Sequence, residues 1–208
     1  MLRLLRGTIV AAMLVSCIGA PRAAAAQEVG TMPVPLVEVS AGYTFMRDFS
    51  ADLPDDVNFP AGWVFSAAIN PTQWLGLVGE ATGSYKNDLN LTFEDLALSN
   101  KARVYTFMGG PRFFKKTGRV VPFAQMLAGV AHMRLESTFA DVPEIGTFSE
   151  EATDFAIQPG GGVTIFLSER VGVRLAADYR CIMDFEDDNT YANEFRFVSG
   201  FTFNWGAR

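Results

Sequence analysis

The sequence predicts an all-β fold: eight antiparallel strands closed into an up-and-down barrel that spans a membrane, behind a cleavable signal peptide. Three observations carry this. Apolar and polar residues alternate with period two along most of the chain, the connections between alternating segments are long and short by turns, and the chain opens on an export signal. A strand places every second side chain on one face, whereas a helix would scatter the same residues around its circumference.

The alternation is clearest at the end of the chain. Phe195, Phe197, Phe201, Phe203 and Trp205 share one face, with Arg196, Val198, Gly200, Thr202 and Asn204 on the other. The first segment sets Val37, Val39, Ala41, Tyr43 and Phe45 against Glu38, Ser40, Gly42 and Thr44. The second sets Trp63, Phe65, Ala67 and Ile69 against Ser66, Ala68 and Asn70. In the third, Leu75, Leu77, Gly79, Ala81 and Tyr85 oppose Gly76, Glu80, Thr82 and Ser84. Further strands are expected over 102–114, 119–134, 154–168 and 170–184. The last of these sets Val171, Val173, Leu175, Ala177 and Tyr179 against Gly172, Arg174, Ala176, Asp178 and Arg180. In the fifth strand, Val120 to Arg134, either parity mixes apolar with polar residues, and the register across Gly109-Gly110-Pro111 in the fourth stays open.

Tight turns are expected at Asn70-Pro71-Thr72-Gln73, Lys115-Lys116-Thr117-Gly118 and Ser168-Glu169-Arg170. Long polar connections fall at 48–61, 87–101, 135–153 and 185–192. Such an alternation of connection lengths is the pattern of a barrel with short turns on the periplasmic side and long loops outside.

The export signal comprises Arg3 and Arg6, an apolar stretch from Gly7 to Ala20 too short to span a bilayer, and small residues Ala23 to Ala26. The expected organisation is a signal peptide over 1–26, a short lead over 27–34 and one barrel domain over 35–208. Leu14-Val15-Ser16-Cys17 also resembles a lipoprotein processing box, which leaves open an alternative in which Cys17 is lipidated. Cleavage after Ala26 removes Arg3, Arg6 and Arg22 and takes the formal charge from −6 to −9. It leaves Cys181 alone, without an intramolecular disulfide partner. So acidic a chain is not expected to bind nucleic acid.

The sign of the two faces decides between a soluble and a membrane barrel. The polar face carries Glu38, Glu80, Arg174, Asp178, Arg180 and Arg196 among Gly and Ser, while the opposite face is almost wholly apolar. Turning the charges outward would leave a soluble barrel packed with Phe and Trp. Turning them inward gives a lipid-facing apolar band, aromatic girdles and a polar interior.

Over residues 35–206 the chain resembles the small outer-membrane β-barrel domain family, of the OmpA transmembrane domain and OmpX type. Gly200-Phe-Thr-Phe203-Asn-Trp205 carries the most specific part of the likeness. It resembles the C-terminal signal read by the barrel-assembly machinery, although the chain continues to Gly206-Ala207-Arg208 rather than ending on the aromatic residue. The resemblance implies a bacterial outer-membrane location, contact with outer-membrane lipid and lipopolysaccharide, and insertion by that machinery.

An eight-stranded barrel has just enough interior for side chains, and ionised groups held there must pair. Glu38 and Glu80 are expected to neutralise some of Arg174, Arg180 and Arg196, with Asp178 contributing. That network is either a structural plug, the preferred reading, or the gate of a narrow pore for ions or small solutes. Of 23 acids, 17 lie in or beside the long connections, most densely at Asp184 to Asp188. They suit a solvated outer surface open to an extracellular partner, and none has the spacing of a dedicated calcium loop. His132 is the single histidine and is followed by Met133-Arg134, with Ser137 five residues on, so no nucleophile partners it. Gly160-Gly161-Gly162 lies inside a strand pattern without the helix that a phosphate cradle requires. No catalytic, cofactor or metal site is expected. The expected function is envelope-structural or surface-interacting, with a pore as the runner-up and a lipid A-modifying enzyme third.

Overall fold

The computed structural model of the protein describes residues 35–49, 57–93, 96–139, 147–183 and 191–207. The expected signal, lead and Cys17 lie outside the described residues. The chain forms β1 (Pro35–Asp48), β2 (Val57–Phe59), β3 (Ala61–Ile69), β4 (Leu75–Phe93), β5 (Leu96–Phe114), β6 (Val120–Phe139), β7 (Thr147–Phe166), β8 (Val171–Met183) and β9 (Tyr191–Ala207). Consecutive strands pair antiparallel, and β1 pairs β9 from Pro35↔Ala207 to Asp48↔Glu194, which closes the sheet. Closure leaves no free edge along the barrel wall.

Nine strands make eight walls, because β2 and β3 are one wall broken at Pro60. Met46 faces Phe59 but Tyr43 faces Trp63, so one extra residue is inserted between them. That is a β-bulge, and it turns Phe59 inward although its odd-numbered neighbours in β3 face out. Proline suits the break because it has no N–H to give the ladder.

The short turns are built from local side-chain bonds. Thr72 Oγ1 accepts from the backbone N–H of Trp74 at 3.3 Å and of Leu75 at 3.0 Å. Ser168 Oγ accepts from Arg170 at 3.4 Å and Val171 at 3.2 Å. In the third turn Gly118 adopts φ 67°, a left-handed conformation that L side chains avoid. The chain enters and leaves the barrel at this same short-turn end, where Pro35 faces Ala207.

Three readings of the sequence are refined. The connections expected over 87–101 and 135–153 are largely strand: β4 and β5 pair up to Phe93↔Leu96, and β6 and β7 up to Thr138↔Thr147. Outside a membrane both faces of a hairpin meet water, so its ladder continues without the alternation that marks the rest of the wall. The fifth strand resolves with Val121, Phe123, Gln125, Leu127 and Ala131 inside and Met126 and Val130 outside. Across Gly109-Gly110-Pro111 the register is unbroken, from Gly109↔Ala128 to Arg112↔Gln125.

The outer face is apolar and ends in aromatic belts. At the short-turn end Trp74 stacks on Phe113 with centroids 6.0 Å apart, and Phe203 and Trp205 are 6.4 Å apart. At the other end Trp63 Nε1 donates to Tyr85 Oη at 2.9 Å, Tyr85 meets Tyr105 edge-on, and Tyr43 donates to the Pro60 carbonyl. Such rings suit a lipid–water boundary, with an apolar body and a polar tip. No helix among the described residues is long and apolar enough to cross a membrane; crossing falls to the strands.

Candidate functional site

The bore is where the chemistry lies. The even-numbered residues of β1, β3, β4, β5, β7, β8 and β9 point inward, as do the odd-numbered residues of β6. This parity buries Glu38, Glu80, Arg174, Asp178, Arg180 and Arg196, each less than a tenth exposed. It also buries Arg112, Glu194, Gln125 and Gln158. Among the described residues the interior thus holds four arginines and four carboxylates, a neutral set.

These side chains form one continuous chain of hydrogen bonds through the bore. Arg180 Nη2 donates to Thr106 Oγ1 at 3.3 Å and to Gln158 Oε1 at 2.8 Å. Gln158 Nε2 donates to Glu80 Oε1 at 3.2 Å. Arg196 Nη2 donates to both Glu80 Oε1 at 2.6 Å and Asp178 Oδ2 at 2.7 Å. Gln125 Nε2 donates to Asp178 Oδ1 at 3.3 Å, and its own Oε1 accepts from Arg112 Nε at 3.0 Å. Arg112 Nη1 donates to Glu38 Oε1 at 2.8 Å, and Arg174 donates to the same oxygen. Arg174 then reaches Ser40 Oγ at 2.9 Å, which pairs with Thr202. Every strand except β2 and β3 supplies a member, so the network ties opposite walls together across the bore.

Sequence reasoning sets Glu38 and Glu80, with Asp178, against some of Arg174, Arg180 and Arg196 without assigning pairs; the structure pairs Glu38 with Arg174, and Glu80 and Asp178 with Arg196. Arg180 differs: its ion pair is with Glu194, at 2.9 Å, and it meets Glu80 through Gln158. Glu194 falls one residue before the segment read as the last strand. Arg112 falls behind Gly-Gly-Pro, although carrying the parity of Thr106 and Met108 forward would have found it. Arg112 and Arg174 also lie over the Phe123 ring, at 4.8 and 5.0 Å from its centroid. A buried guanidinium gains from an aromatic face as well as from a carboxylate.

Glycine makes room for this set. A Cβ on Gly160 would collide with the Asp178 carboxylate, and one on Gly42 with the Ser199 carbonyl across the β1–β9 seam. Two of the cavities left among the described residues measure about 20 Å³, each with space for about one water molecule. One lies toward the short turns beside Asn70 and Phe166, the other deeper beside Ser66 and Gln125, and both touch Arg112, Phe123 and Arg174. Arg196 Nε and Nη1 are buried without a protein partner.

Outside the bore, His132 lies on the outer face and shares a 2.8 Å hydrogen bond between its Nδ1 and Thr153 Oγ1. Phe203 and Trp205 of the assembly-signal motif face outward, and Gly200 packs inward against Ala41 of the closing strand. Among the described residues no three His, Cys, Asp or Glu side chains are placed to hold a metal ion. The acids at 184–188 lie outside the described residues, whereas Glu136, Glu150, Glu151 and Asp154 sit on β6 and β7 rather than in a loop.

Solved outer-membrane barrels share this architecture. Neisserial surface protein A aligns with a TM-score of 0.58 at 13% identity, covering 81% of this chain and 97% of its own. Ail, the attachment invasion locus protein of Yersinia pestis, aligns at 0.55 and 15% identity, covering 80% of this chain and 97% of its own. OprG of Pseudomonas aeruginosa aligns at 0.52 and 11% identity, covering 85% and 98%. At these identities the likeness is one of fold. No curated protein sequence matches the chain. The family model described as outer membrane protein beta-barrel domain matches residues 10–203, and the chain belongs to that family, a protein of the bacterial outer membrane.

Proposed function

We propose that this protein is a closed, non-catalytic outer-membrane barrel whose role is envelope-structural or one of surface contact, and that its interior ion network is a plug. One observation carries the reading: Glu38 bridges Arg112 and Arg174 while Arg196 bridges Glu80 and Asp178, so two successive levels of the bore are crossed by ion pairs. A neutral, interlinked set of this kind suits a filled interior, since each charge has its compensation within reach. Surface contact would be made by the long hairpins β4–β5 and β6–β7 and by acidic segments that lie outside the described residues. Ail has been crystallised with the heparin analogue sucrose octasulfate. The acidic outer segments of this chain disfavour so anionic a ligand and suit a cationic partner.

A second reading, a narrow pore, draws on Arg196, whose two unpartnered nitrogens and adjoining ion pairs offer a polar path. Planar-bilayer recording separates the two. Purified protein is expected to give no discrete conductance steps in wild-type form. Reproducible single-channel steps that change size in Arg196→Ala would overturn the plug.

A further inference from the structure

The charges of the bore balance as a whole but not level by level. At the end away from the short turns, Arg180 pairs with Glu194, one charge against one. In the middle, Arg196 serves both Glu80 and Asp178, which leaves a negative excess. Toward the short turns the excess is positive, because Arg112 and Arg174 share the single carboxylate of Glu38. Asp178 reaches Arg112 only through the Gln125 amide, which accepts from one and donates to the other. The middle level therefore offsets the lower one at a distance and not by contact.

The cavity toward the short turns lies at this positive excess. Glu38, Arg112, Arg174 and Thr164 line it, together with Lys116 from the β5–β6 turn. Among the described residues around it, three cations thus meet one carboxylate. Phe114, Phe123 and Phe166 complete an apolar wall, against which an uncompensated charge is costly. Arg112 gives Nε to Gln125 and Nη1 to Glu38, while Arg174 gives its three nitrogens to Thr164, Ser40 and Glu38. Each guanidinium has five N–H donors, so these bonds do not exhaust either group. Thr164 Oγ1 accepts from Arg174 Nε at 3.2 Å, and its own hydroxyl proton is a further donor.

We propose that this cavity is a binding site for one monatomic anion, a halide such as chloride, held among Arg112, Arg174 and Lys116. Size decides the chemical class. A space of about 20 Å³ admits an ion little larger than water and excludes phosphate, sulfate and carboxylates. The bound ion offsets the positive excess by contact and completes the plug toward the short turns. The inference rests on the filled bore under the proposed function, since water in an open bore would screen the same charges.

The test is urea unfolding of the full-length mature protein in detergent micelles, with sodium chloride exchanged for sodium gluconate at constant ionic strength. Gluconate is too large for the cavity. The wild-type midpoint is expected to rise with chloride and to saturate, because a ligand of the folded state alone stabilises it. Arg112→Gln should raise the chloride concentration needed about tenfold, the loss of one charged hydrogen-bonding group. Lys116→Gln, half-buried at the turn, should raise it about threefold. Arg170→Gln, exposed on the next turn, should leave the response unchanged. Crystals grown in sodium bromide should show an anomalous peak in the cavity. Water there in place of bromide, or a wild-type response in both Arg112→Gln and Lys116→Gln, would each overturn the site. A bromide peak without a chloride-dependent midpoint would mean binding at crystal concentration only, and overturns it too. Conductance steps from the wild type in planar bilayers would sink the plug itself, whereas a missing chloride response without conductance sinks the anion site alone.

Discussion

Replacing Glu38 with Ala is expected to cost about 3–5 kcal/mol of unfolding free energy, the range for removing one partner from a buried ion pair. Glu38 is the carboxylate shared by Arg112 and Arg174, both less than a tenth exposed. Its removal leaves two guanidiniums side by side over the Phe123 ring, held only by Gln125, Thr164 and Ser40. Urea unfolding in detergent micelles reads the change as a lower midpoint. The effect should be strongly non-additive: Arg112→Gln in the Glu38→Ala background relieves the repulsion and restores part of the loss. A cost below about 1 kcal/mol would mean that the bore is solvated like a surface.

Arg196→Ala should be of similar size, about 3–5 kcal/mol, for the opposite reason. One nitrogen, Nη2, serves both Glu80 and Asp178, and without it two carboxylates face each other in the bore. Arg196→Lys keeps the charge but loses the planar fork, and a loss of about 1–2 kcal/mol is expected because only charge-assisted hydrogen bonds are traded. Gly160→Ala should reach the same end from β7, the strand paired with β8 on its other side, since its Cβ displaces the Asp178 carboxylate that Arg196 holds. Urea midpoints for the three variants verify the order Arg196→Ala below Arg196→Lys below wild type, with Gly160→Ala also destabilised.

How much of this was legible in the sequence depends on what alternation can encode. Where one face meets lipid and the other the bore, polarity must switch at every residue, and the strands around Phe195–Trp205 and Val171–Arg180 follow directly. The six interior charges first singled out share that legibility, because a charge on the inward face stands out among Gly, Ser and Thr. Arg112 was hidden because Gly109-Gly110-Pro111 left the register open, although the parity of Thr106 and Met108 runs unbroken through it to Arg112. Glu194 was hidden because it falls between the acidic connection over 185–192 and Phe195, where the last strand was read to begin.

Pairing across the bore was legible only in part. Which arginine meets which carboxylate, Arg180 with Glu194 and Arg196 with Glu80, follows from the stagger of neighbouring strands, and stagger is a property of the closed sheet rather than of any segment. The extended hairpins escaped for a related reason. Above the membrane, residues such as Glu150 and Glu151 can both meet water within one strand, so the ladder continues after the pattern has stopped. The β2–β3 bulge joins a local feature, Pro60, to a distant one, the packing of Phe59 with Met46 and Ala102 inside the barrel, and the second is not visible in the segment itself.

The central claim is that the chain is a closed outer-membrane barrel zipped from within. Its most direct test is the gel mobility of the outer-membrane fraction, unboiled against boiled. A sheet closed by thirteen β1–β9 pairings and tied across its bore should resist SDS until heated. The unboiled sample is therefore expected to run faster than the boiled one, in the outer-membrane fraction. A protein found in the soluble periplasmic fraction, with no heat-dependent shift, would contradict the account and turn the two faces of the barrel inside out.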